Sequence, residues 1–146
     1  MAETMFALEV VVVPVSDPDR ALEFYRDRVG FPVDVDYAPG PGFRVVQLTP
    51  PGSACSLQFG IGLSDAVPGS ARRMHLVVAD LERARAELVA RGVEVGEIRH
   101  KTPLDMWAGA LAPGIDEAHR DYASFAEFAD PDGNTWVLQE RGHSGV

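Results

Sequence analysis

The chain has 146 residues, enough for one domain with a proper core, and its 46% hydrophobic content fits an ordinary soluble globule. A formal charge of -9 argues against a nucleic-acid binder, which needs a basic footprint, and disfavours an anionic membrane surface. One cysteine, Cys55, excludes an intramolecular disulfide and a cysteine-rich metal site. No apolar run approaches a transmembrane length, and no basic stretch with a signal-like segment opens the chain, so a cytoplasmic protein is expected.

Val10 to Val15 reads as a buried strand rich in β-branched residues. Asp17 then offers an N-cap and Pro18 a first helical residue, whose missing N–H costs nothing there. Ala21, Leu22, Tyr25 and Val29 recur at helical spacing until Gly30 stops the helix. Strands are expected near Val33–Tyr37, Phe43–Thr49 and Cys55–Phe59, with the Gly40-Pro41-Gly42 run as a hairpin connection. The second half repeats the plan: a strand within "MHLVVAD", an Asp80 N-cap, an amphipathic helix through Leu81, Ala84 and Leu88, and a Gly92 stop. Its closing stretch, "ADPDGNTWVLQE", is a turn followed by a strand over Thr135 to Glu140.

The halves superpose residue by residue. Asp17, Arg20 and Ala21 fall on Asp80, Arg83 and Ala84, an offset of 63, while Gly52, Leu57 and Gln58 fall on Gly133, Leu138 and Gln139, an offset of 81. Two β-α-β-β-β modules in tandem, about 1–66 and about 70–146, follow from this internal repeat. The larger second offset means that the second module has gained residues between its strands.

On "VPVSDPDRALEFYRDRVGF", "LVVADLERARAELVARGVEV" and "FAEFADPDGNTWVLQE" the chain resembles the vicinal oxygen chelate superfamily, the glyoxalase, bleomycin-resistance and ring-cleaving dioxygenase group. The resemblance implies an α+β fold in which paired βαβββ modules curl mixed sheets around a cavity, with the helices outside. It also implies homodimers. Metal-dependent members take ligands from the first strand of each module, seven residues before the capping Asp, and from four residues past the turn glycine of each last strand. Carried over, these positions are Val10, Arg73, Ser56 and Val137, where the family uses His or Gln plus Glu. Valine has no donor, arginine stays cationic, and one serine cannot hold an ion, so no metal and no cofactor are expected.

Residues two apart on a strand share a face. Val12, Gln58, His75 and Gln139 should therefore form the next layer of the cavity, two amides and an imidazole among apolar walls. Such glutamines can equally satisfy neighbouring backbone, and a strand histidine can be structural; His75 is the candidate catalytic base if there is catalysis. The connection "RHKTPLDMWAGALAPGIDEAHRDY", residues 99–122, is long for a compact domain. Met106, Trp107 and Leu111 give it apolar anchors, and His100, Asp105, His119 and Tyr122 lie at or near its ends. A lid or cavity wall is favoured over a surface excursion or a dimer contact, with Trp107 and Tyr122 as ligand contacts. Cys55 points away from the cavity and reads as core, and "ERARAELVAR" as a solvated helix face.

Three readings stay open at this level. The first is a metal-independent protein that takes a small organic ligand, either sequestering it or acting as a cofactor-free enzyme of lyase, isomerase or dioxygenase type. The second is a metal-dependent lyase or dioxygenase with relocated ligands. The third is a dimeric scaffold with a vestigial cavity.

Overall fold

The computed structural model describes residues 2–105, 107–108 and 110–144. The chain folds as two compact units, Met1–Ser70 and Ala71–Val146. Each is a mixed sheet with one helical segment, giving an α+β fold.

In the first unit, strand β1 (Val10–Val12) leads to the Asp17 cap, whose carboxylate accepts the N–H groups of Asp19 and Arg20 at 3.0 and 3.3 Å. Helix α1 (Pro18–Leu22) continues as a π-helix over Glu23–Val29. The sequence spacing predicts ordinary α-helix throughout. Instead the N–H of Gly30 reaches five residues back to the Tyr25 carbonyl at 3.0 Å, and that of Phe31 reaches the same oxygen at 2.8 Å. The wider winding buries the adjacent Phe24 and Tyr25 together with Val29. Gly30, at φ 94°, supplies the expected stop in a conformation that only glycine adopts readily.

Strands β2 (Val33–Gly40), β3 (Phe43–Leu48) and β4 (Ser56–Ile61) complete a sheet of order β1-β4-β3-β2, in which only β1 and β4 run parallel. Alternation along the strands sends Val46, Leu48, Leu57 and Phe59 to one face, where all four are buried. The Tyr25 ring packs there, 5.7 Å from Phe59 and 6.5 Å from Phe31. Each such side chain contributes about 1.5–3 kcal/mol by burial. The opposite face carries Val10, Val12, Val45, Gln47, Ser56 and Gln58. The first strand is shorter than expected, ending at Val12, and Cys55 is half-buried in the turn before β4 rather than in the core.

In the second unit, β5 (Met74–Val78) feeds the Asp80 cap, which accepts the Arg83 N–H at 3.0 Å, and α2 (Leu81–Ala90). Strands β6 (Arg99–His100), β7 (Ala112–Pro113), β8 (Ser124–Ala129) and β9 (Thr135–Glu140) complete a sheet of order β5-β9-β8-β6-β7. Its core holds Leu81, Leu88, Ala126, Phe128, Trp136 and Leu138, with Phe128 stacked on Trp136 at 6.4 Å. The turn before β9 is built by Asp130, whose carboxylate accepts the N–H groups of Asp132 and Asn134 and the Asn134 amide. Asn134, fully buried, returns its own oxygen to the Ala71 N–H at 3.0 Å, tying the unit's first residue to its last turn.

The second unit departs from a plain βαβββ module. Its counterpart of the long β2 is the two-residue β6, and the inserted connection adds β7 beyond it at the sheet edge. Pro113 lacks the N–H for a further ladder bond, which suits β7 to that edge.

Candidate functional site

On β9, Trp136, Leu138 and Glu140 face α2, so Thr135, Val137 and Gln139 face the other way. Register places His75 beside Val137, Val77 beside Gln139, and Phe125 and Glu127 of β8 opposite Gln139 and Val137. Lys101, Trp107 and Leu111 of the long connection, with Tyr122 at its end, wall this face. Together they enclose a cavity of about 590 Å³, lined by Arg73, His75, Lys101, Trp107, Leu111, Tyr122, Phe125, Glu127, Val137 and Gln139. That volume lies within the usual range for small-molecule sites, roughly 300–1,000 Å³.

The polar groups are held by the backbone. His75 Nδ1 lies 2.7 Å from the Arg73 carbonyl. A carbonyl only accepts, so Nδ1 carries the hydrogen and, in the neutral ring, Nε2 keeps its lone pair. Gln139 Nε2 donates to the Tyr122 carbonyl at 3.2 Å. Arg73 and Tyr122 both have left-handed backbone, φ 57° and 66°. Such conformations cost non-glycine residues about 1–3 kcal/mol and occur where the surroundings fix them. Lys101 is only 6% exposed, with its ammonium 4.1 Å from the Trp107 ring centroid and 5.4 Å from that of Phe125.

Six of the residues expected from sequence, Arg73, His75, Trp107, Tyr122, Val137 and Gln139, thus line one cavity. The other four, Val10, Val12, Ser56 and Gln58, lie on the first unit's sheet, on the face away from its helix. There Gln58 Nε2 donates to Gln47 Oε1 at 2.7 Å, a partner not anticipated from the repeat. Ser56, 6% exposed, has its hydroxyl 2.6 Å from that of Thr49, which in turn bonds Asp34. The long connection is a cavity wall through Trp107 and Leu111, and its ends are pinned. His100 Nδ1 donates to the Gly114 carbonyl at 2.8 Å, and Arg120 grips Asp116 with two nitrogens at 2.9 Å. The ion pair holds the Asp116 carboxyl well below the usual carboxylate range. Met106 lies outside the described residues.

Sequence reasoning missed Lys101, Phe125 and Glu127. The alternation in "SFAEFA" puts Phe125 and Glu127 on one face, so both were readable from that strand. Nothing local marks Lys101, whose burial follows from how the connection folds over β8.

The four family ligand positions do not fit a divalent ion. One of them is also corrected by register. Ser56 pairs with Val10, but Val137 pairs with His75, not Arg73, which precedes the strand. Only Ala79 separates β5 from its cap, whereas Val13–Ser16 separate β1 from Asp17, so counting back an equal interval overshoots. With His75 substituted, the set still has two valines and a serine hydroxyl engaged by Thr49. One imidazole remains, too little for a metal centre.

Among the described residues, one other group has metal-like spacing: His119, Glu140 and His143, with ligand atoms within 4.8 Å of one another. It lies on the helix side of β9, away from the cavity. Glu140 is 1% exposed; one carboxylate oxygen accepts the Leu81 N–H at 2.9 Å and the other lies 2.7 Å from His119 Nδ1. His143 Nδ1 donates to the Ala79 carbonyl at 3.1 Å, and the two imidazoles stack at 3.8 Å. Stacked rings hold their in-plane lone pairs side by side rather than converging, while the buried Glu140 caps α2 through the Leu81 N–H. The Glu140 hydrogen bond raises the His119 pKa above its ordinary 6.5.

The family model for the Glyoxalase/Bleomycin resistance protein/Dioxygenase superfamily matches residues 7–138, and the chain belongs to that superfamily. Among solved structures it is similar to TnmS3, an antibiotic binding protein from Streptomyces sp. CB03234, at 29% identity and TM-score 0.70, over 95% of this chain and 98% of that one. A glyoxalase/bleomycin resistance protein from the same organism is 31% identical, TM-score 0.67, over 91% and 99%. A superfamily member from Sphaerobacter thermophilus DSM 20745 is 25% identical, TM-score 0.69, over 94% and 98%. No curated protein is found to match. No helix among the described residues is long and apolar enough to cross a membrane.

Proposed function

We propose that this protein binds a small organic molecule in the cavity on the β5–β9–β8 face, without the superfamily's metal centre, and sequesters it. The observation that carries this reading is the cavity itself. Aromatic and aliphatic walls from Trp107, Phe125, Tyr122, Leu111 and Val137 supply shape, while Gln139 and His75 supply orientation. The likeness to an antibiotic binding protein over nearly both full chains supports the same reading. His75 offers a second one: with Nδ1 tied to a carbonyl, its Nε2 is suited to proton abstraction in a cofactor-independent reaction.

Trp107 lines the cavity at 88% exposure while Trp136 is buried at 3%, so ligand entry should change the emission of Trp107 alone. Titration with a panel of antibiotics and other small aromatics should give saturable quenching that Trp107→Phe removes. Gln139→Leu, which keeps the volume, should weaken a polar ligand by roughly tenfold with little change in melting temperature. Ligand recovered unaltered supports sequestration; altered ligand whose conversion is lost in His75→Ala supports the enzyme. A panel that leaves Trp107 unmoved throughout refutes the binding reading.

We further propose a homodimer. Val12, Val35 and Tyr37, on the first unit's face away from its helix, are 39–49% exposed, an apolar surface of the kind that partners cover. Light scattering that returned the 15.8 kDa of one chain would count against it.

A further inference from the structure

We infer that the cavity selects an aromatic ligand carrying an anionic oxygen group, a carboxylate or phenolate, bound at Lys101 and Arg73. The inference rests on the reading of this cavity as a small-molecule site and adds the sign of the ligand's charge. Lysine is almost never buried unless paired, because removing an ammonium from water is costly. Lys101 is 6% exposed, and among the described residues no carboxylate lies within ion-pair distance of it. Among the described residues the ring faces of Trp107 and Phe125 meet its ammonium, which offsets part of that cost. Arg73, an exposed residue lining the same cavity, is also without a carboxylate partner among the described residues, its backbone held by Thr135 and His75. Elsewhere in this acidic chain Arg26, Arg44, Arg83 and Arg120 each hold a carboxylate at 2.7–3.1 Å.

The charged groups lining the cavity are therefore Arg73 and Lys101 against Glu127, with the His75 ring beside them. Two cations against one carboxylate leave a net positive field inside a protein of net charge -9. A ligand anion would meet the Lys101 side chain where it lines the cavity, and its ring would lie against the aromatic walls. A cationic ligand would meet Lys101 where the ring faces are already taken.

Three matched probes test this: 2-naphthoate, 2-naphthamide and 2-naphthylmethylammonium, titrated by calorimetry at low and high salt. The expected result is that naphthoate binds about tenfold or more tightly than naphthamide, with the ammonium probe weakest and the preference reduced by salt. Lys101→Met should bring naphthoate close to naphthamide, Lys101→Arg should keep the preference, and Glu127→Gln should strengthen naphthoate. Equal binding of all three to the wild type, or tightest binding of the ammonium probe, overturns the charge assignment and leaves the cavity reading standing. Failure of all three, the neutral amide included, while the antibiotic panel also fails, removes both. Because the wild-type comparison needs no variant, the inference stays refutable even if Lys101→Met does not fold.

Discussion

Glu140 ends the last strand with its side chain almost wholly out of water, a place where a carboxylate needs full compensation. Two donors supply it, the Leu81 N–H at the start of α2 and His119 Nδ1, with the His143 ring nitrogen 3.9 Å away. The other charges that bear on His119, Glu82 and Asp116, are also negative and favour its proton. Because folding raises the His119 pKa above 6.5, its contribution to stability is complete below that value and is lost as pH rises through the folded value. His119→Gln should therefore lower the melting temperature most near about pH 5.5, and the gap to wild type should narrow by about pH 8.5. A gap that stays constant or widens with pH would show that protonated His119 is not what holds Glu140. Little of this was open to inspection in the sequence: His119 appears there only as one polar residue near the end of a long connection, and its left-handed backbone at φ 50° brings it to Glu140.

The elements that were legible are those whose boundaries are set by local chemistry. Asp17 and Asp80 cap their helices, Gly30 and Gly92 stop them at φ 94° and 89°, and the turn at Asp130 launches β9 at Thr135 as read. What was not legible depends on partners distant in sequence. The two-residue β6 exists because Arg99 and His100 pair with Phe125 and Ser124, and no periodicity in the connection announces it. The parallel register that puts His75 beside Val137 is likewise a tertiary fact, since two strands with similar patterns fit at more than one register. Close strand packing yields a test at this scale. In β4, a Cβ on Gly60 would stand 1.8 Å from the Arg44 carbonyl oxygen, a backbone atom of β3 that cannot step aside without parting the strands. Gly60→Ala should cost about 1–3 kcal/mol or more, read as a lower midpoint in urea with fluorescence. Gly40→Ala, where a Cβ meets nothing within 4 Å, is the control and should stay near wild type.

At the scale of the whole chain, duplication supplied two copies of a strand pair whose neighbouring positions hold metal ligands in metal-dependent relatives. Here neither copy carries the family's pair of donors, and a single imidazole is what the two pairs offer. The first pair reads Val10 and Ser56, with the serine drawn into the Thr49–Asp34 chain; the second reads His75 and Val137, with the imidazole turned onto a backbone carbonyl. What each copy keeps is the next polar residue along the last strand, Gln58 bonded to Gln47 and Gln139 bonded to Tyr122. Amides orient a ligand but bind ions weakly, so the duplicated feature that survives suits recognition better than metal chemistry. Protein purified without chelator and dialysed should accordingly hold well under one equivalent of zinc, nickel, iron or manganese per chain by elemental analysis. The His119–Glu140–His143 group makes the control essential, since it is the one place among the described residues where such an ion has several donors at hand. An equivalent that disappears in His119→Gln would belong to the α2 cap and leave the proposal of a cavity without metal intact. An equivalent that survives His119→Gln and is lost in His75→Ala would restore a metal to the cavity and overturn the sequestration reading in favour of a metal-dependent enzyme.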